Sequence, residues 1–192
     1  GHLVTDLTLG DKKLSAHLTG SKGTILAFFG ATCPISGKLG PELARLEKDA
    51  AAQQMRMILI CPVASETADD IQKFVSTHAL KSPVVHDKDG LISAALAATT
   101  TTEVFLIDSA RTLTYRGAIN DQYGLGYAKD QPTKTYLRDA MVAMLAHTAP
   151  EIAATTAPGC ALDLKKQTET AKTDVTYHHQ ISRIMQANCL EC

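Results

Sequence analysis

Thr24-Ile-Leu-Ala-Phe-Phe-Gly-Ala-Thr-Cys-Pro-Ile-Ser-Gly37 decides how the rest of the chain is read. Thr24 to Phe29 is an apolar, β-prone run of strand length, and Gly30 ends it. Shortly after, Pro41-Glu-Leu-Ala-Arg-Leu-Glu-Lys-Asp49 repeats its apolar residues at helical spacing. Cys33 therefore falls between a buried strand and the mouth of a helix. Free backbone N–H groups at a helix N-terminus favour negative charge, so a thiol placed there loses its proton more easily and becomes a nucleophile near neutral pH.

Outward from this junction the chain alternates strand and helix. Val4 to Leu9 and Lys13 to Leu18, around Gly10-Asp11, read as a small N-terminal hairpin or strand pair. A helix over 37–54 carries Leu39, Leu43, Leu46 and Ala50 on one stripe and Lys38, Glu42, Arg45 and Lys48 on others. Met55 to Cys61 is a second buried strand, stopped by Pro62, and Ser65 to His78 an amphipathic helix opened by cap-like residues. Ser82 to His86 is a short strand, Asp87-Lys-Asp-Gly90 a turn, and Leu91 to Ala98 a brief helix. Glu103 to Asp108 and Thr112 to Gly117 form the clearest hairpin, and Thr135 to His147 a closing helix with Leu137, Met141, Met144 and Leu145 inward. The pattern predicts an α/β domain with a central mixed sheet flanked by helices. Chemistry in such sheets gathers beyond the carboxyl ends of the parallel strands, where both Cys33 and Cys61 sit. Cys61 reads either as a second thiol of that centre or as a small packed hydrophobe.

Composition excludes several classes. The 192 residues, 45% hydrophobic with a net charge of −1, suffice for one well-buried domain plus an extra segment. No Trp, 5% aromatic residues and no long basic run leave no footprint for nucleic acid. No apolar run reaches the roughly 18 residues of a membrane span. Gly1-His2 reads as an expression remnant, which leaves room for a removed export signal. The domain is expected over 1–147, followed by an arm or linker over 148–173 rich in small residues and proline and interrupted by Cys160, and by a distinct segment over 174–192.

The junction Gly30-Ala-Thr-Cys-Pro-Ile-Ser36, the strand Thr101-Thr-Glu-Val-Phe-Leu-Ile-Asp108 and the following Tyr115-Arg-Gly117 resemble the thioredoxin superfamily over about residues 4 to 147. The branch they are most similar to is the redoxin group of alkyl hydroperoxide reductase/thiol-specific antioxidant proteins. The resemblance implies a thioredoxin-like fold with the reactive cysteine, Cys33, at the start of its second helix, flanked by Thr32 and Ser36. It also marks departures. Ser36 replaces the second cysteine of a Cys-x-x-Cys, so its hydroxyl is expected to donate a hydrogen bond to the Cys33 thiolate rather than to resolve it. Thr102 stands where such proteins carry a cis-proline, and a trans bond is expected there because a cis bond before a non-proline residue costs about 2.5–4 kcal/mol. Peroxidases of this group place Thr or Ser three residues before the cysteine and an Arg beside it; here Gly30 holds the first position and Arg116 lies on the far hairpin strand. What remains is a solitary thiol that attacks protein or small-molecule disulfides, or weakly peroxide, with Cys61 or Cys160 as candidate resolving thiols. Gly159-Cys160 in the arm matches exported redoxin–cytochrome fusions, which implies an arm that packs back on the domain and a periplasmic or otherwise exported location.

The last stretch, Asp174 to Cys192, carries Val175, Ile181, Ile184 and Met185 at helical spacing and ends in Cys189-Leu-Glu-Cys192. It resembles the opening helix of small bacterial cytochrome c domains. Two such thiols followed by His attach haem c covalently; this sequence ends at the second cysteine, so no haem is expected here, and covalent haem c through Cys189 and Cys192 only where a longer protein continues with His. The rival readings are a dithiol acting on Cys33 and half a zinc site. Two other functional classes stay open: a non-enzymatic binding or scaffold domain of a cytochrome fusion, with an electron-transfer partner, and a copper-handling protein that would use His86 with a cysteine pair.

Overall fold

The computed structural model describes residues 2–124 and 126–162. The Cys189–Cys192 motif, the 174–192 segment and the distal part of the arm lie outside the described residues. In chain order the elements are β1 (His2–Leu3), β2 (Thr8–Leu9), β3 (Lys12–Lys13), α1 (Leu14–Leu18), β4 (Gly23–Phe28), α2 (Pro34–Ala52), β5 (Arg56–Cys61), α3 (Ala68–Thr77), β6 (Val84–His86), α4 (Leu91–Ala95), β7 (Val104–Asp108), β8 (Thr112–Gly117), β9 (Tyr123–Gly124), β10 (Tyr127–Ala128) and α5 (Tyr136–Leu145). Six strands make one mixed sheet in the order β1-β8-β7-β4-β5-β6. β4, β5 and β6 run parallel, while β7 pairs antiparallel with β4, β8 with β7, and β1 with β8.

The sheet is a sandwich filling because its central strands are apolar on both faces. Ile25, Ala27 and Phe29 pack with Leu43, Leu46, Phe74, Leu137 and Met141 from α2, α3 and α5 on one side. Leu26 and Phe28 pack with Leu14 and Leu18 of α1, Ile92 of α4 and Leu96 just after it on the other. Fully burying each such side chain stabilises the fold by about 1.5–3 kcal/mol. The mixed-sheet, helix-flanked α/β architecture expected from the sequence is what the chain adopts.

The chain departs from expectation at its start. Only Thr8–Leu9 and Lys12–Lys13 pair as a hairpin, and 14–18 is helical rather than extended. The spacing explains it: Leu14 and Leu18 are four apart and both enter the core, and the Asp6 carboxylate accepts the Ser15 N–H and hydroxyl, each at 2.8 Å. α2 also starts earlier than position 37, because Cys33 takes the N-cap and Pro34, whose ring pre-sets a helical φ, takes the first turn.

Candidate active site

Cys33 stands at the carboxyl end of β4 as the N-cap of α2, whose first turn holds no acidic residue to offset the positive end of the helix. It is 6% exposed. Ser36, one turn in, is turned away from it: its hydroxyl accepts the Gly30 N–H at 3.0 Å and donates to the Thr101 carbonyl at 3.4 Å. The expected Ser36 hydroxyl bond to the thiolate is therefore corrected. Ser36 ties the end of β4 to the loop before β7, and only its backbone N–H acts on the sulfur.

The turn that presents Cys33 is held by a carboxylate that no sequence motif marks. Glu66 is buried and accepts the Ala31 N–H at 2.8 Å, the Thr32 N–H at 2.8 Å, the Thr32 hydroxyl at 2.9 Å and the Cys61 thiol at 3.0 Å. These partners lie up to 35 residues away in sequence, so no local pattern announces them. The true cap of α3 is Thr67, in a reciprocal box with Asp70.

The arm supplies the second thiol. After α5 it runs beside the end of β8, where Arg116 N–H reaches the Ala153 carbonyl at 3.1 Å and Thr155 N–H the Arg116 carbonyl at 3.0 Å. The Thr155 hydroxyl lies 2.7 Å from the Tyr115 hydroxyl and accepts the Ala118 N–H at 2.9 Å. A Cβ on Gly117 would meet Thr155 at 2.3 Å, so the absence of a side chain there lets the arm seat. The arm then crosses to the loop before β7, where the Thr102 hydroxyl bonds the Pro158 carbonyl and Ala161 bridges Thr100 in antiparallel fashion. Gly159 makes the bend at φ +121, a conformation that disfavours any side chain. Cys160 Sγ ends 3.3 Å from Cys33 Sγ and donates to it, and the Thr101 hydroxyl donates to Cys33 Sγ from 3.3 Å.

These contacts set the proton affinities. Burial pushes the Cys33 thiol up, but the Thr101 hydroxyl, the Ser36 N–H and the thiol and N–H of Cys160 overcome it and bring the value down to about 7. Cys160 is held above its ordinary value, first because its thiol proton is given to Cys33 and then by burial. Cys61 is fully buried, and burial followed by the Glu66 carboxylate pushes it up to about 12.

The residues singled out by sequence therefore divide. Cys33 and Cys160 converge, and Thr32 sits in the Glu66-clamped turn. Cys61 faces Glu66 in the core and has lost the accessibility a resolving thiol needs. Thr102 follows a trans bond, as none of the described peptide bonds is cis, and it anchors the arm; its neighbour Thr101 touches the sulfur instead. Arg116 is committed to Glu103 and the Ala97 carbonyl, at 2.6 and 2.7 Å from one guanidinium nitrogen, and does not serve the thiol. His86 Nε2 lies 3.0 Å from the Val63 carbonyl, and among the described residues no three His, Cys, Asp or Glu side chains gather as a metal site requires. Beside Cys33 and Cys160 opens a cleft of about 710 Å³, lined by Pro62, Val63, Glu66, Lys88, Ala94 and Leu162 among others. No described helix is long and apolar enough to cross a membrane.

Comparison with known proteins agrees with this architecture. Residues 3–116 match the AhpC/TSA family. A hypothetical protein of Sinorhizobium meliloti is similar at 26% identity and TM-score 0.73, over 84% of this chain and 92% of that one. An uncharacterised conserved protein of Geobacillus kaustophilus shares 18% identity at TM-score 0.72, over 84% and 89%. A Chlorobium tepidum protein described as a candidate thiol:disulfide interchange protein DsbE shares 20% identity at TM-score 0.59, over 76% and 96%. No curated protein sequence matches the chain.

Proposed function

The chain belongs to the AhpC/TSA family of thiol-based redox proteins, and within it we propose that Cys33 and Cys160 form a two-thiol centre for disulfide exchange. The observation that carries this reading is the 3.3 Å approach of the two sulfurs, one donating its proton toward the other. The solitary thiol read from the sequence thereby gains a partner from the arm.

Each role follows from the environment of the sulfur. With its value near 7, Cys33 is about half thiolate at neutral pH and attacks one sulfur of a substrate disulfide R–S–S–R′. A Cys33–S–S–R bond forms and R′–S⁻ leaves, taking up a proton. The helix mouth and the Thr101 hydroxyl hold the attacking charge. Once Cys33 is in the mixed disulfide, its negative charge is gone and Cys160 no longer gives its proton to it. Cys160 then loses that proton to water and attacks Cys33 Sγ, forming the Cys33–Cys160 disulfide and expelling R–S⁻. Two electrons pass from the thiol pair to the substrate. Because Cys160 is already in contact, the second step needs a movement of roughly 1.3 Å, from 3.3 Å to a bonded 2.0 Å. Peroxide is the poorer substrate, since Gly30 offers no hydroxyl and Arg116 is occupied by Glu103. An exported location fits this reading, because an oxidising compartment lets the disulfide form and persist.

Mass spectrometry of the reduced protein after brief exposure to bis(2-hydroxyethyl) disulfide tests the assignment. The expected product is a Cys33–Cys160 linked peptide pair; Cys160→Ser accumulates the Cys33 mixed disulfide, and Cys33→Ser gives neither. A native protein that carries no adduct and no Cys33–Cys160 bond overturns the proposal in favour of a non-enzymatic domain.

A further inference from the structure

The arm does more than deliver a thiol. Next to Cys33 the loop before β7 offers the backbone groups on which an extended peptide would pair, and the arm already holds them. Thr101 N–H donates to the Cys160 carbonyl at 3.0 Å, Leu162 N–H to the Thr99 carbonyl at 3.0 Å, and Cys160 N–H to the Thr101 hydroxyl at 3.1 Å. This is strand addition made within one chain, with Cys160 set against Cys33 where the cysteine of a peptide substrate would lie. We infer that residues 159–162 act as a tethered pseudosubstrate that closes the peptide slot and restricts the centre to low-molecular-weight disulfides entering through the adjacent cleft.

The cleft side supports the assignment. Cys33 is 6% exposed, so a bulky strand-bearing disulfide has no second route to it. The cleft's volume of about 710 Å³ lies in the range of small-molecule sites, and Pro62, Val63, Ala64 and Ala94 give it apolar walls, while Lys88 with Asp89 and Glu66 puts charges of both signs in the lining and so favours neither a strongly anionic nor a strongly cationic ligand. Competition favours the tether as well. A short tether presents its own strand at an effective concentration of order millimolar, so a free peptide at micromolar concentration is outcompeted about a thousandfold unless it binds correspondingly tighter. A small disulfide that needs no backbone pairing escapes this competition. The substrate class that fits is a disulfide with compact, weakly charged substituents.

The inference rests on the proposed Cys33 chemistry, and one assay separates the two. Reduced full-length protein is mixed with bis(2-hydroxyethyl) disulfide or with insulin, and the rate at which Cys33 becomes a disulfide is followed by quenched mass spectrometry. Wild type is expected to react at least tenfold faster, per disulfide, with the small probe. Two variants unseat the arm at points away from Cys33, Cys160 and Thr101: Gly117→Ala, whose Cβ would meet Thr155 of the arm at 2.3 Å, and Ala157→Asp, which puts a charge on a buried arm position. In either variant that retains native circular dichroism, the ratio of the insulin rate to the small-probe rate rises about tenfold; loss of the Cys160 donors slows Cys33 toward both probes alike, which the ratio removes. Equal wild-type rates on the two probes, or a ratio that stays at its wild-type value in the folded variants, overturns the pseudosubstrate assignment while leaving the Cys33 chemistry standing. Inertness of Cys33 toward both probes overturns that chemistry itself, and this inference with it.

Discussion

Cys33 follows and Cys61 ends one of two neighbouring parallel strands at the same edge of the sheet, yet one thiol is drawn down to about 7 and the other pushed up to about 12. Position in the fold does not separate them. The groups that face each sulfur do. Cys33 looks at donors: a helix mouth, the Thr101 hydroxyl, the Ser36 N–H and the Cys160 thiol, all of which welcome a negative sulfur. Cys61 looks at an acceptor, the Glu66 carboxylate, which is satisfied only while the sulfur keeps its proton. Glu66 links the two sites, because the carboxylate that locks Cys61 as a thiol also clamps the Ala31–Thr32 turn presenting Cys33. One side chain adds to burial in silencing one cysteine and positions the other.

The largest expected effect is the contrast in reactivity itself. At pH 7 the ionised fractions of the two thiols differ by about 10⁴- to 10⁵-fold. The greater intrinsic nucleophilicity of the more basic thiolate returns about 10²-fold of that. Iodoacetamide is therefore expected to label Cys33 at least about 10²-fold faster than Cys61 in the folded protein, read by peptide mapping so that thiols elsewhere in the chain do not interfere. The Cys33 rate should rise with pH around a midpoint near 7, and Cys61 should become reactive only on unfolding. Comparable labelling of the two would break the comparison at its root.

Removing the shared carboxylate tests the link between the sites. Glu66→Gln keeps the size of the side chain but cannot satisfy two N–H groups, a hydroxyl and a thiol in the same way, and a buried group left unpaired costs about 1–3 kcal/mol. A urea midpoint lower by about 0.5–1.5 M follows, taking m near 2 kcal/mol/M. The pH dependence has a definite sign. Burial alone would raise Glu66, but its bonds from Cys61, Thr32 and Ala31 lower it below the ordinary carboxylate value. Its stabilisation is therefore complete above the unfolded value of about 4.3 and is lost as pH falls through the lower folded value. Wild type should lose this increment on acidification below pH 4, whereas Glu66→Gln should not; parallel acid profiles for the two proteins would show that the carboxylate does not clamp the turn.

The sequence carried the frame of this comparison but not its outcome. Apolar strands, helical stripes and the Cys33 junction are local signals, and each lands where its spacing placed it: Leu39, Leu43, Leu46 and Ala50 are all buried on α2. Thr101 on Cys33, Glu66 on the Ala31–Thr32 turn and the approach of Cys160 are meetings of residues 34 to 127 positions apart, which no local period encodes. Four consecutive threonines illustrate the limit. Thr102, singled out by resemblance, holds the Pro158 carbonyl of the arm, while its neighbour Thr101 reaches the sulfur; the two sit in one turn with both hydroxyls near Gly159 of the arm, and which of them meets Cys33 is set by how that turn packs, not by spacing along the chain. Likewise Leu14 and Leu18 suit a helix by their spacing, but over so few residues strand and helix patterns overlap.

The smallest effect isolates a single donor. Thr101→Val preserves shape but removes the hydroxyl that donates to Cys33 and accepts the Cys160 N–H. Cys33 then keeps the helix mouth and the Cys160 thiol, so its proton affinity rises without returning to that of a free cysteine. The expected loss is about three- to tenfold in alkylation rate at pH 7, recovered above pH 9 where the thiolate forms anyway. That recovery distinguishes a lost donor from a displaced turn, since a misplaced Cys33 stays slow at every pH. Thr101→Ser restores a hydroxyl on the same Cβ and should return the midpoint toward 7. If Thr101→Ser behaves like Thr101→Val, the contrast between the two cysteines rests on the helix mouth and Cys160 alone, and the threonine only seats the arm.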